Sequence, residues 1–189
     1  MTDSNNSRRF STALQMGILG GILLSRLAPP LIAQLRGMAG SSVGEDPFDL
    51  LIRQHKRLLS LLDSMENAAD GGPARRAVLF LAFKRTIGKH AMAEEDVVYP
   101  LLHSETDRAK AAEQLYKEHA ELKMHIFALQ QNIQNPQQWR GHVRDLRDEI
   151  SRHARQEEEV EFPRLRTLPG AAKSSFLNRN IRQEEALLL

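Results

Sequence analysis

The chain has 189 residues, a length that favours one domain with extensions. Its 26 basic residues barely exceed its 24 acidic residues, and no basic stripe is interleaved with aromatic residues, so no nucleic-acid partner is expected. The absence of cysteine excludes disulfides, zinc fingers, thiolate catalysis and iron–sulfur ligation, and it fits a reducing cytoplasm. Aromatic residues make up 5% of the chain and clear β-branched alternation is absent, which favours helices.

Residues 1–45 are predicted to form an N-terminal extension that ends in a linker rich in Gly and Ser. Its apolar run over residues 13–24 is too short to cross a bilayer. Three interpretations are open: packing on its own domain or on a sister subunit, an amphipathic helix that contacts a membrane surface through residues 10–35, and a signal peptide. We therefore expect a cytoplasmic protein, with membrane association as an alternative, and the oligomeric state is open.

Four stretches between residues 46 and 168 carry apolar residues at helical spacing. Capping residues followed by proline, or runs of turn residues, separate the stretches. These boundaries are Asp46-Pro47, Asp70-Gly71-Gly72-Pro73, residues 104–107 and Asn135-Pro136. The pattern predicts an all-α fold, an up-down-up-down four-helix bundle. Residues 169–189 are predicted to form a short tail, and residues 181–189 within it favour a short amphipathic helix.

One motif occurs twice in the chain, and it reads His-x-x-x-Glu-Glu-acid-Val-x-aromatic-Pro. The copies begin at His90 and His153, and each places a carboxylate four residues after the imidazole, on the same face of a helix. A single histidine precedes each copy: His55 lies 35 residues before His90, and His119 lies 34 residues before His153. An internal repeat of this kind indicates that two similar halves build one site.

The helical stripes predict that six side chains of this repeat face the interior. They are His55, His90, Glu94, His119, His153 and Glu157. Burying an ionised carboxylate costs several kcal/mol of desolvation free energy. The two carboxylates would therefore take up protons unless they share a cation. A pair of metal ions supplies that charge, with the carboxylates as bridges and the imidazoles as caps. Nitrogen and oxygen donors without sulfur suit iron, and less specifically manganese or zinc, and about two coordination positions are left for a small ligand.

These six residues and their spacing resemble the hemerythrin-like, or HHE cation-binding, domain over about residues 46–168. The resemblance implies an oxo- or hydroxo-bridged di-iron centre in which Glu94 and Glu157 bridge and the four histidines are terminal ligands. It implies binding of O2, NO or peroxide, with a role in oxygen or redox sensing or in oxidative or nitrosative stress. Iron storage or donation, a di-iron peroxidase or oxidase, and a passive zinc site are the alternatives, so enzymatic activity is open.

One position departs from the oxygen-carrying members of the resembled family. Those proteins have a fifth histidine one turn after the histidine of the third helix, where this chain has Lys123. Either an extra coordination position is open, or a substitute such as Glu118 or Glu95 fills it. The departure disfavours reversible oxygen carriage, and it favours sensing, peroxide chemistry or iron handling.

Other residues of the repeat allow a structural and a functional interpretation. Glu95, Glu158 and Glu159 are either solvated or orient the histidine ligands. Tyr99 is expected to pack in the core, with a hydrogen bond near the site as the alternative, and the prolines after the aromatic residues are expected to kink or end their helices. Three further histidines are predicted to lie on the surface: His103, His125 and His142.

Overall fold

The structure, a computed structural model, describes residues 46–105, 107–168 and 174–186. Within these ranges all regular secondary structure is helical and no strand is present. The helices are α1 Pro47–Asn67, α2 Pro73–Ala93, α3 Tyr99–Ser104, α4 Ala109–Gln131, α5 Pro136–Gln156, α6 Phe162–Arg166 and α7 Ser174–Ala186. No helix in the described part of the chain is both long and apolar enough to cross a membrane. The predicted N-terminal extension, with its membrane-surface contact, lies outside the described residues.

Two of the predicted helix starts are capped by the side chains that the sequence indicates. The Asp46 carboxylate accepts a hydrogen bond from the backbone N–H of Phe48 at 2.8 Å. The Asn135 side chain accepts from the backbone N–H groups of Gln137 and Gln138, both at 3.1 Å. Each cap precedes a proline in the first helical turn, where its missing N–H costs nothing.

Ion pairs between α1 and α5 show how these two helices lie against each other. The pairs are Asp63–Arg147 at 2.8 Å, Glu66–Arg144 at 2.6 Å and, just beyond the end of α1, Asp70–Arg140 at 2.8 Å. The residue numbers rise along one helix while they fall along the other, so α1 and α5 run in opposite directions. Helix α1 also packs on α2, and α4 packs on α5, so the chain forms a helical bundle.

Two apolar clusters form the core of this bundle. The first is centred on Trp139, which is fully buried and donates its indole N–H to the backbone carbonyl of Met65 at 2.9 Å. The second includes Phe48 and Phe162, and α7 contributes Leu177 and Ile181 to it. The C-terminal helix therefore begins earlier than the amphipathic segment predicted at residues 181–189, and it packs on the bundle.

A wide π-helical turn interrupts each of the two motif-bearing helices. The turns are Glu94–Val98, between α2 and α3, and Glu157–Glu161, between α5 and α6. The backbone N–H of Tyr99 bonds to the carbonyl of Glu94, and that of Phe162 bonds to Glu157, five residues back in both cases. Pro100 and Pro163 follow directly, and the helices continue past both instead of ending there. A wider turn gives room to a proline ring, which would otherwise crowd the preceding turn.

Replacing Trp139 with Ala should lower the free energy of unfolding by about 3–5 kcal/mol, because it empties a fully buried site and leaves the Met65 carbonyl unpaired. Urea unfolding followed by circular dichroism measures the change. Phe127→Ala is the matched control, since this side chain of α4 is 60% exposed, and its effect should stay within about 0.5 kcal/mol. Equal effects of the two substitutions would show that Trp139 does not anchor the first cluster.

Candidate metal centre

The structure brings all six side chains of the predicted set into one buried cluster between the two apolar clusters. They come from α1, α2, α4, α5 and the first residue of each π-helical turn. Their exposed fractions are 1% for His55, 1% for His90, 0% for Glu94, 3% for His119, 4% for His153 and 0% for Glu157. Water is therefore almost fully excluded from two carboxylates and four imidazoles at once.

One half of the cluster contains His55 and His90 with both carboxylates. The Nε2 atom of His90 lies 3.1 Å from Oε2 of Glu94. The Nε2 atom of His55 lies 3.2 Å from Oε2 of Glu157 and 3.7 Å from Oε1 of Glu94. One potential ligand atom from each of these four residues lies within 4.8 Å of the others, a spacing that could hold one metal ion.

The other half contains His119 and His153, whose Nε2 atoms lie 3.1 Å apart. His119 Nε2 is 3.4 Å from Oε2 of Glu94, and His153 Nε2 is 3.5 Å from Oε2 of Glu157. One potential ligand atom each from Glu94, His119 and His153 lies within 4.8 Å of the others, so this half could also hold a metal ion. Each carboxylate thus contacts an imidazole from both halves, and the two carboxylates join the halves into one centre.

The second ring nitrogen of every histidine in the cluster points away from the centre and meets an oxygen acceptor. The four pairs are His55 Nδ1 with Glu158 at 2.8 Å, His90 Nδ1 with Gln54 at 3.0 Å, His119 Nδ1 with Glu95 at 2.9 Å and His153 Nδ1 with Glu118 at 2.9 Å. These acceptors assign the proton of the neutral imidazole to Nδ1. The unprotonated Nε2 then faces the carboxylates, and the hydrogen bond fixes the orientation of each ring as in known metal sites.

Lys123 lies one turn after His119, where the resemblance places a fifth histidine, but its side chain lies outside the centre. Its ammonium group pairs with the Glu95 carboxylate at 2.8 and 3.1 Å, and the side chain is 60% exposed. Glu95 and Glu118, the two suggested substitutes, accept the Nδ1 hydrogen bonds of His119 and His153 instead. None of the three replaces the missing donor; the two glutamates orient the histidines, which was the functional interpretation of Glu95 in the sequence.

Tyr99 is the site residue that sequence reasoning placed mainly in the apolar core. Its hydroxyl oxygen lies 2.9 Å from His119 Nε2 and 2.9 Å from Glu157 Oε1. It also lies 3.3 Å from His153 Nε2 and 3.4 Å from Glu94 Oε2. The sequence feature that could have indicated this role is the hydroxyl of Tyr99, because the second copy of the motif has Phe162 at the same position. The Phe162 ring stacks near that of His55, with centroids 6.2 Å apart.

With the ring protons on Nδ1, four inward-facing polar atoms face other acceptors and form no hydrogen bond within the described residues. They are His55 Nε2, His90 Nε2, Glu94 Oε1 and Glu157 Oε2. Leaving a buried polar atom unpaired costs about 1–3 kcal/mol each, so such atoms are rare in folded proteins. All four are electron-pair donors of the kinds that bind divalent and trivalent metal ions, so these residues fit a metal centre.

The pKa shifts show that the buried groups of the centre compete for protons. Burial lowers the pKa of His90 well below its ordinary value. Burial, together with the charge of Glu94, raises the pKa of Glu157. Burial also lowers the pKa of His119, but hydrogen bonds to Glu94 and Glu95 outweigh it and raise that pKa to about 9. Protons therefore compete for the centre, and metal ions would displace them.

Comparison with known proteins identifies the family. The family model described as the hemerythrin HHE cation-binding domain matches residues 46–165, which contain all six clustered residues. The chain belongs to the hemerythrin HHE family. A protein of Nostoc sp. (strain PCC 7120) named DNA nickase is 29% identical to it over an alignment of 142 residues that covers 71% of this chain and 40% of that protein. The chain thus spans less than half of the length of this relative. No solved structure matches the chain significantly.

Membership of the HHE family and the buried cluster together support metal binding by this chain. The three histidines assigned to the surface take no part in the cluster. His125 instead pairs with Glu149 at 3.3 Å, His142 contacts Asn132 at 3.2 Å, and His103 is exposed. The structure therefore separates the histidines of the repeat from the remaining ones.

Glu118→Ala should weaken metal affinity by about ten- to a hundredfold, because it removes the acceptor that orients the His153 ring. Competition with a chromophoric chelator measures the affinity. Glu121→Ala is the control on the same helix, since this glutamate is mostly exposed and pairs only with Lys117 among the described residues, at 3.9 Å. Identical affinities of the two variants would contradict a role for the Nδ1 hydrogen bond.

Proposed function

We propose that this HHE-family protein binds two iron ions and that the centre binds O2, NO or peroxide in redox sensing or stress response. The proposed ligands are His55, His90, Glu94, His119, His153 and Glu157. The observation that carries the proposal is the arrangement of the imidazoles. All four direct Nε2 at two buried carboxylates while an outer acceptor holds each Nδ1.

The contacts of the two carboxylates support two ions rather than one. Glu94 lies near His90 on one side and His119 on the other, at 3.1 and 3.4 Å. Glu157 lies near His55 and His153, at 3.2 and 3.5 Å. A carboxylate between two imidazole pairs is suited to bridging two ions. The donor set of nitrogen and oxygen without sulfur favours iron over copper(I) and over thiolate-bound zinc.

The residues around the centre exclude water and orient the imidazoles, and a site for a small ligand requires both. When bound, a pair of redox-active irons would supply the electrons and the open coordination positions for small oxygen or nitrogen species. The two apolar clusters flank the centre and exclude water, which would limit the release of reactive products. The outer acceptors hold the imidazoles in fixed orientations, so that the chain is organised before metal binds.

We also infer that α1, α2, α4 and α5 run alternately up and down and that residues 46–168 form the domain. The opposed ion pairs of α1 and α5 support this order. Contacts of α4 with α5 support it as well, because His125 meets Glu149 while His119 meets His153 further along. Residues 1–45 and 169–189 would then be an extension and a tail, of which α7 packs on the domain.

Metal analysis of the 189-residue protein should give two irons per chain, and the visible spectrum of the oxidised protein should change with azide or NO. Glu94→Ala should remove most of the bound iron, since it deletes a contact to both imidazole pairs. His125→Ala, a histidine outside the cluster, should retain both ions. Zinc in place of iron, with no redox response, would contradict the proposal and favour a structural metal site.

Two alternative functions, iron storage or donation and peroxidase or oxidase activity, can be distinguished by measurements on the same protein preparation. An iron store or donor would release iron to an apo-acceptor protein, whereas a ligand-binding centre should retain it. A peroxidase or oxidase would show turnover that is lost in His119→Ala. Iron that is retained, together with reversible spectral changes and no turnover, would support the sensing function.

We propose that the chain does not cleave DNA, although its cyanobacterial relative is named a DNA nickase. Arg140, Arg144 and Arg147 of α5 could otherwise contact phosphates, but each pairs with an acidic side chain. Supercoiled plasmid incubated with the iron-loaded protein and catalase should therefore stay supercoiled. Catalase removes the peroxide that would let any loosely bound iron nick DNA. Nicking that persists with catalase and is lost in His119→Ala would contradict this prediction.

A further inference from the structure

We infer that Tyr99 is a seventh protein ligand, which binds through its phenolate oxygen to the metal ion held by His119 and His153. The inference rests on the proposed function, because it requires that ions occupy the centre. It assigns the donor that takes the place of the fifth histidine, which neither Lys123 nor its neighbours Glu95 and Glu118 supply.

The separations between donor atoms are those of one coordination shell. Bonds of about 2.1 Å place adjacent donors of an octahedral ion about 3 Å apart. The Tyr99 oxygen lies 2.9 Å from His119 Nε2 and 3.3 Å from His153 Nε2, and these two nitrogens lie 3.1 Å apart. The same oxygen lies 2.9 Å from Glu157 Oε1 and 3.4 Å from Glu94 Oε2. All five distances approximate the edges of one octahedron.

Hydrogen bonding alone does not account for this arrangement. A phenol carries one proton, so the Tyr99 hydroxyl satisfies one of the four acceptors around it. The acceptors are His119 Nε2, His153 Nε2, Glu157 Oε1 and Glu94 Oε2. Metal binding requires neutral rings, and when Nδ1 of each neutral ring donates to Glu95 or Glu118, neither Nε2 carries a proton. A cation among these donors would satisfy all of them together.

The two copies of the motif carry different residues at the aromatic position. The second copy has Phe162, which has no oxygen, and its ring stacks near His55 in the other half of the centre. The phenol oxygen therefore faces the His119 and His153 half, which is the half where Lys123 stands in place of the fifth histidine. Tyr99 would therefore donate to the same ion for which Lys123 supplies no ligand.

Coordination replaces the phenol O–H bond with an oxygen–metal bond, and the released proton passes to solvent, so no oxidant or reductant is needed. A phenolate adds one negative charge to the centre and is expected to favour the ferric state. A centre of this kind would disfavour reversible oxygen carriage, and it would suit a sensor whose resting state is oxidised.

The test uses the oxidised, iron-loaded protein of 189 residues. Its only tyrosines are Tyr99 and Tyr116, so a phenolate-to-iron charge-transfer band can come only from these two. Resonance Raman excitation in that band should reveal ring vibrations that shift when the protein is produced with ring-deuterated tyrosine. Tyr99→Phe should lose the band. Tyr116→Phe is the matched control and should keep it, although Tyr116 packs against Tyr99 at 5.0 Å and donates to the Glu95 backbone carbonyl.

Iron content, measured on the same samples, separates the two proposals. Isotope-sensitive phenolate modes in the wild type that persist in Tyr116→Phe support the inference, even if Tyr99→Phe fails to fold. Two irons per chain without such modes would overturn the inference and leave the proposed function standing. Modes that persist in Tyr99→Phe would also overturn it. A wild-type protein that binds no iron would overturn both.

Discussion

The structure depends on two fully buried carboxylates that need positive charge beside them. Glu94 and Glu157 are inaccessible to water, and their carboxylates lie within hydrogen-bond or ion-pair distance of the imidazoles and the Tyr99 hydroxyl. Burying one unpaired carboxylate costs several kcal/mol or more, and burying two within one cluster is worse because they repel each other. A cation shared by both carboxylates would remove this cost, and the imidazoles would be placed to coordinate it.

The fold is organised around this requirement. The long helices bring one imidazole each into the same layer, and the apolar clusters around Trp139 and Phe48 close the bundle on both sides of it. Each π-helical turn begins at a carboxylate residue, Glu94 or Glu157, and precedes a proline. The duplicated motif therefore encodes both a donor pair and the local change in helix geometry that follows it.

Much of this could be predicted from the sequence, because it depends on periodicity and capping. His90 and Glu94 share a helix face by their spacing of four, and Asp46 and Asn135 cap the helices that they were predicted to start. The position of Tyr99 could not be predicted in the same way. The π-helical turn before Tyr99 adds extra rotation about the helix axis. The regular spacing of an α-helix therefore does not predict which way the Tyr99 side chain points. The outward direction of Lys123 depends on its ion pair with Glu95, a contact between helices that one sequence does not specify.

The most direct test of the account is an anomalous-diffraction map from crystals of the iron-loaded protein, recorded at the iron absorption edge. Two iron peaks less than about 4 Å apart are expected in the layer between the apolar clusters. One peak should lie beside His55 and His90, and the other beside His119 and His153. A single peak, or iron bound only at surface histidines such as His103, would contradict it.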